Sequence, residues 1–204
     1  MKLSKTVVLF CAVLLLSPAS AFAQAEFFQK GESGISMKAG YAGGNNTTEF
    51  QAAALGILGG IFDIGVAKSS ISSKNSYFSI NSTIYHVGIY PLREDESKNI
   101  KINLGMFAEF SSVRSQDVGI VGISIFKRSS SVNSFFSQSK FSIIKVLYLS
   151  SSGKPSTMAY QIDFTLGWLQ KFSIITVTPS ILKGENATII GFTAGLAIRF
   201  DSSN

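Results

Sequence analysis

His86 is the only histidine in the chain, and it stands on the alternate set of residues that also holds Ser82, Ile84 and Gly88. A hydroxyl or a water is a poor nucleophile until a base takes its proton, so hydrolytic chemistry needs such a histidine together with a serine or an acidic partner. Here the residue two beyond His86 is Gly88, so a His-x-Ser arrangement is absent and a structural histidine is the favoured reading. A second set of candidates is electrostatic: Lys38, Asp63, Lys101, Glu109, Lys145, Asp163 and Arg199 each occupy the polar half of an alternating segment. Four positive and three negative charges nearly cancel. They could line a selective pore, or they could be a salt-bridged filling; the second is favoured because buried charge is costly unless it is paired. His, Cys and carboxylates nowhere cluster at metal-ligand spacing and no phosphate-cradling glycine loop occurs. We expect no catalytic, cofactor-binding or metal-binding residue, and no enzymatic activity.

The elements that position these residues alternate with period two, the signature of a strand showing successive side chains to opposite faces. Residues 188–200 put Ile190, Phe192, Ala194, Leu196, Ile198 and Phe200 on one face against Gly191, Thr193, Gly195, Ala197 and Arg199. Residues 100–110 and 158–168 are as regular, and residues 34–41, 61–69, 77–90 and 172–182 alternate clearly enough to be strands. Residues 50–58, 118–127 and 141–149 are blurred, which brings the total to ten. At about 3.3 Å per residue and a tilt near 40°, about eleven residues cover the ~25 Å apolar band that a membrane-crossing strand must match. Such faces exceed the usual strand length of about five to six residues in soluble sheets. The fold expected is therefore an all-β, up-and-down antiparallel transmembrane barrel of about ten strands; about eight strands are just filled by side chains, so ten leave little open space.

Three local expectations follow. If Gly59-Gly60 is a two-residue turn that pairs Leu58 with Ile61, then Leu55 and Ile57 share the greasy face, and Ala52, Ala54 and Gly56 line the other. A seventh strand starting at residue 141, joined to the eighth by a hairpin centred on Gly153 or Lys154, sets Lys145 opposite Asp163 inside the barrel. That requires Ile144, Val146 and Tyr148 to face lipid, with residues 128–140 a long connection. Finally, residues 24–33 read as a polar lead-in to the first strand.

Lys2 and Lys5, the apolar run of residues 7–16 and the small-x-small site Ala21-Phe22-Ala23 predict a secretory signal peptide over residues 1–23, with the barrel domain over residues 24–204. Cys11 lies inside the leader, so no disulfide is expected. Without Lys2 and Lys5, sixteen basic residues remain against twelve acidic ones, a scattered +4 that suggests no nucleic-acid partner. No later window offers eighteen consecutive apolar residues, which excludes a helical span.

Thr193, Gly195, Ile198 and Phe200 resemble the C-terminal assembly signal of bacterial outer-membrane barrels, here followed by Asp201-Ser202-Ser203-Asn204. Residues 62–66, 88–93 and 177–181 also resemble segments of a family of porin-like outer-membrane β-barrel proteins of Gram-negative bacteria. The resemblance implies a cell-outer-membrane location, no assigned activity, and outer-membrane lipid and the barrel-assembly machinery as partners of a monomer. The function expected is structural or at the surface, with a narrow pore for small solutes as its extension. Two rivals stand beside it: a lipid-modifying barrel enzyme using His86, and a soluble secreted β-sandwich binding module.

Overall fold

The computed structural model describes residues 27–44, 47–73, 76–93, 102–113, 116–129, 134–149, 156–185 and 187–200. The expected leader over residues 1–23 lies outside these residues, as does Lys101. Ten strands follow one another: β1 Ser33–Gly44, β2 Thr47–Leu58, β3 Phe62–Ser73, β4 Ser76–Leu92, β5 Asn103–Val113, β6 Gln116–Arg128, β7 Phe135–Tyr148, β8 Thr157–Leu169, β9 Ser173–Gly184 and β10 Thr188–Phe200. Each pairs antiparallel with its sequence neighbours, and β1 pairs with β10 from Ser33–Phe200 to Gly43–Ile190, closing the barrel. Closure leaves no sheet edge unpaired.

The regular segments fold as their alternation dictates. In β10, Ile190, Phe192, Leu196, Ile198 and Phe200 are exposed on the outside while Thr193 and Ala197 are buried inside. In β8, Met158, Tyr160, Ile162, Phe164, Leu166 and Trp168 face out and Ala159, Gln161, Asp163 and Thr165 face in.

β2 is inverted relative to the sequence reading: Leu55 and Ile57 are buried, whereas Ala52, Ala54 and Gly56 face outward. Gly59 and Gly60 both have positive φ, 59° and 62°, and Ile61 N–H donates to Leu58 O at 3.1 Å, as a two-residue turn requires. The ladder nevertheless opens with Leu58 opposite Phe62, not Ile61. Ile61 bulges out of it and its carbonyl accepts from Tyr90 N–H of β4 at 2.7 Å. One extra residue reverses the side to which every residue of β2 points.

β7 starts at Phe135 rather than at 141, so the expected long connection is a short one, in which Ser137 N–H donates to Ser129 Oγ at 2.9 Å and Leu169 N–H donates to Ser134 O at 2.7 Å. Its register sets Lys145 opposite Met158 and Lys140 opposite Asp163. Lys145 is therefore on the outer face, and Ile144 and Val146, fully buried, are on the inner one. Ile143, Ile144, Val146 and Leu147 offer apolar residues to both faces; what selects the phase is burial of Ile144 and Val146 against Leu182, Ile189 and Val118.

The interior is layered. At the end where β1 starts and β10 finishes, Phe27, Phe28, Ile57, Tyr90, Phe126, Phe136, Ile174 and Ala197 pack together. Toward the opposite end, Ile71, Ile80, Val118, Ile120, Ile144, Val146, Ala159, Leu182 and Ile189 pack, with Phe107 reaching up from below. Between them lies a band of buried polar and charged side chains that includes Ser36, Lys38, Gln51, Asp63, His86, Glu109, Gln138, Lys140 and Asp163. The first layer is partly built by residues read as a polar lead-in: Phe27 and Phe28 are 2% and 0% exposed.

Candidate functional site in the barrel lumen

Three neighbouring strands bring the sole histidine between two carboxylates. His86 lies opposite Glu109 in the β4–β5 ladder, and Asp63 lies opposite Gly88 in the β3–β4 ladder, diagonal to His86. His86 Nε2 is 3.0 Å from Asp63 Oδ1 and Nδ1 is 3.2 Å from Glu109 Oε1. Tyr90 Oη donates to Asp63 Oδ2 at 3.2 Å, and the Phe107 ring stacks on the imidazole at 6.1 Å between centroids. A Cβ on Gly88 would run into the Asp63 carboxylate and stand 3.2 Å from His86 Nε2. The glycine read as a missing serine is what lets Asp63 reach the ring. Both ring nitrogens face carboxylate oxygens, whereas a general base faces the hydroxyl or water whose proton it takes.

On the opposite wall Lys140 Nζ is 3.4 Å from Asp163 Oδ2, and Gln161 Nε2 donates to Asp163 Oδ1 at 2.8 Å. Between β2 and β3, Ser69 Oγ donates to Glu49. Lys38 is buried with its Nζ 5.7 Å from the centre of the Phe27 ring. Of the charges predicted from sequence, Lys38, Asp63, Glu109 and Asp163 are thus inside, Lys145 is outside, and Arg199 sits at the rim. There Arg199 Nη1 donates to Glu32 Oε1 at 2.9 Å while Nη2 donates to the carbonyls of Gln170 and Lys171. Two interior charges are not among those expected from sequence: Lys140, within the expected connection of residues 128–140, and Glu49, just ahead of the expected strand at residues 50–58. The alternation Gln138, Lys140, Ser142 against Ser137, Ser139, Phe141 carried the signal for Lys140.

Of the assembly-signal residues, Thr193 and Gly195 point inward and Ile198 and Phe200 outward, the last opposite Ser33 in the closing seam. The outer wall is greasy all round: Met37 is 62% exposed, Ile64 64%, Val87 51%, Ile123 52%, Leu166 53% and Ile190 64%. An apolar belt of that extent around a closed sheet with a polar interior can be solvated only by hydrocarbon. The chain is a membrane-spanning β-barrel. An even number of antiparallel strands, with the start of β1 and the end of β10 side by side at one end, is the outer-membrane type.

The sequence matches no protein-family model and no curated protein. Solved structures similar in fold include the β domain of the Bordetella autotransporter BrkA, at 10% identity and a TM-score of 0.48, covering 83% of this chain and 100% of that one. The KdgM porin is 7% identical with a TM-score of 0.42, covering 81% and 99%. The translocator domain of the autotransporter NalP from Neisseria meningitidis is 10% identical with a TM-score of 0.42, covering 96% and 98%.

Proposed function

We propose that this is a small monomeric outer-membrane barrel with a structural or surface role and a lumen closed to solutes, and that it is not an enzyme. One observation carries the reading: apolar layers, built on Phe27, Phe28 and Phe126 at one end and on Ile120, Ile144 and Leu182 toward the other, bracket the polar band. Dispersed charge in a narrow barrel can line a channel only where water reaches it, and side chains packed to van der Waals contact at two levels interrupt any such path. With the termini facing the periplasm, the loops joining β1–β2, β3–β4, β5–β6, β7–β8 and β9–β10 face outward. Outer-membrane lipid and the assembly machinery that reads the last strand are the partners this reading requires.

The test is conductance. Purified folded protein in planar bilayers should show no steady channel, and a stable open level would overturn the closed-lumen reading. The enzyme alternative is tested by lipid analysis of cells lacking or overproducing the protein; turnover that vanishes in His86→Ala would establish it.

A further inference from the structure

The layer at the periplasmic end differs from the other in its construction. The distal layer consists of strand residues, whereas Phe27 and Phe28 belong to a short segment ahead of β1 that folds back into the mouth. Few bonds hold it. Arg128 Nη1 donates to Phe27 O at 3.2 Å, and Arg93 donates to Phe28 O. The Arg128 guanidinium lies 3.9 Å from the centre of the Phe136 ring, and Arg93 lies 5.7 Å and 5.6 Å from those of Tyr90 and Phe126. Gly31, at φ 95°, turns the chain so that its N–H reaches Gly59 O at 2.8 Å, and Glu32 ties the segment to Arg199. Gly60 lets the Gln29 carbonyl approach, since a Cβ there would overlap it. All these contacts fall on strand ends and turns.

Above the segment, several buried side chains have polar atoms without a partner among the described residues: Ser36 Oγ, both amide atoms of Gln51 and of Gln138, and Ser142 Oγ. Each is at most 3% exposed. Buried polar groups on this scale are satisfied in proteins by ordered water. Ser36 is the next inward residue above Gly34, whose own Cβ position is blocked by the Phe28 ring, so it lies directly behind the segment.

We propose that the segment from Phe27 to Glu32 is a releasable stopper on a water-holding chamber, and that its withdrawal opens this chamber to water and small hydrophilic solutes from the periplasm alone. The inference rests on the closed-lumen reading. The stopper is the detachable part because it lies outside the ladders, held by side-chain packing, ion pairing and turn contacts, while the distal layer cannot move without breaking ladders.

The experiment uses the full chain carrying Cys11→Ser and Ser36→Cys, purified as folded barrel in detergent, and a charged methanethiosulfonate reagent as probe. In the parent the thiol should react slowly. Adding Phe27→Ala and Phe28→Ala should speed labelling on the order of a hundredfold, because access is governed by local opening and truncating a buried phenylalanine shifts such an equilibrium by at least that factor. Arg93→Gln with Arg128→Gln, which leaves the rings in place, should give a smaller acceleration. Fast labelling in the parent would show that no seal exists, and unchanged labelling in both variants would show that the segment is not the seal. Failure of both variants to assemble would make the segment a strut of the fold and equally overturn the proposal. Bilayer current separates the two readings: the stopper-less barrel should stay silent behind its distal layer, so current in the parent contradicts the closed lumen, whereas labelling alone bears on the stopper.

Discussion

Lys140 and Asp163 face each other across the β7–β8 ladder with Nζ 3.4 Å from Oδ2, both side chains almost fully enclosed. Removing Lys140 leaves the Asp163 carboxylate buried without this cation, held by Gln161, which costs roughly 3–5 kcal/mol, whereas replacing both by apolar residues of similar size is nearly neutral. Lys140→Met should therefore lower the unfolding midpoint in urea strongly, and Lys140→Met with Asp163→Leu should recover most of it. Equal loss in the single and double variants would show that the pair is not coupled.

Lys145 makes the opposite prediction. It lies on the outer face, three residues before the end of β7 at Tyr148, where its ammonium can snorkel to the headgroups. Lys145→Leu should change stability by less than about 1 kcal/mol, the range for lipid-facing charges close to the interface. A drop matching that of Lys140→Met would return Lys145 to the interior.

Gly88 is the most sensitive position around His86. Gly88→Ala puts a methyl group against the Asp63 carboxylate, and relieving the overlap means giving up the Asp63–His86 contact at a cost of about 1–3 kcal/mol. Asp63→Ala combined with Gly88→Ala should be no less stable than Asp63→Ala alone. A clearly additive loss would mean that the glycine serves some purpose other than admitting Asp63.

Assembly is predicted to depend on the outward aromatic at the seam. Phe200→Ala, or removal of residues 200–204, should leave unfolded precursor in the periplasm, while removal of residues 201–204 alone should not. Heat-modifiable migration on gels reads both. Normal folded levels without Phe200 would exclude it from the signal.

Alternation revealed the strands wherever only one face was apolar, as in β5, β8 and β10, where a single phase was consistent with the pattern. It failed where both phases were. The run Ile143-Ile144-Lys145-Val146-Leu147 fits either assignment, and its lone lysine favours the inward phase by sequence although the strand adopts the other. Near a membrane interface a long charged side chain is tolerated on either side. The inversion of β2 came from one bulged residue, which a turn signature does not reveal. Asp63, His86 and Glu109 were each legible as interior residues, but their convergence was not, since a diagonal contact depends on the register of two ladders at once. Phe27 and Phe28 lie outside any alternating segment, so no periodicity could assign them to the core.

The bulge at Ile61 has a topological side. In an open sheet, an inserted or deleted residue can be absorbed by letting an edge strand slide. A ring has no edge to slide, and the offsets between successive strands must add up to one fixed shear after one circuit. Ile61 therefore supplies one unit of an offset shared by all ten strands. Deleting it would set two demands against each other: either β2 turns its Glu49 and Gln51 toward the hydrocarbon, or some other pair of strands takes up the missing unit. The sidedness of one strand is thus tied to the closure of the whole barrel.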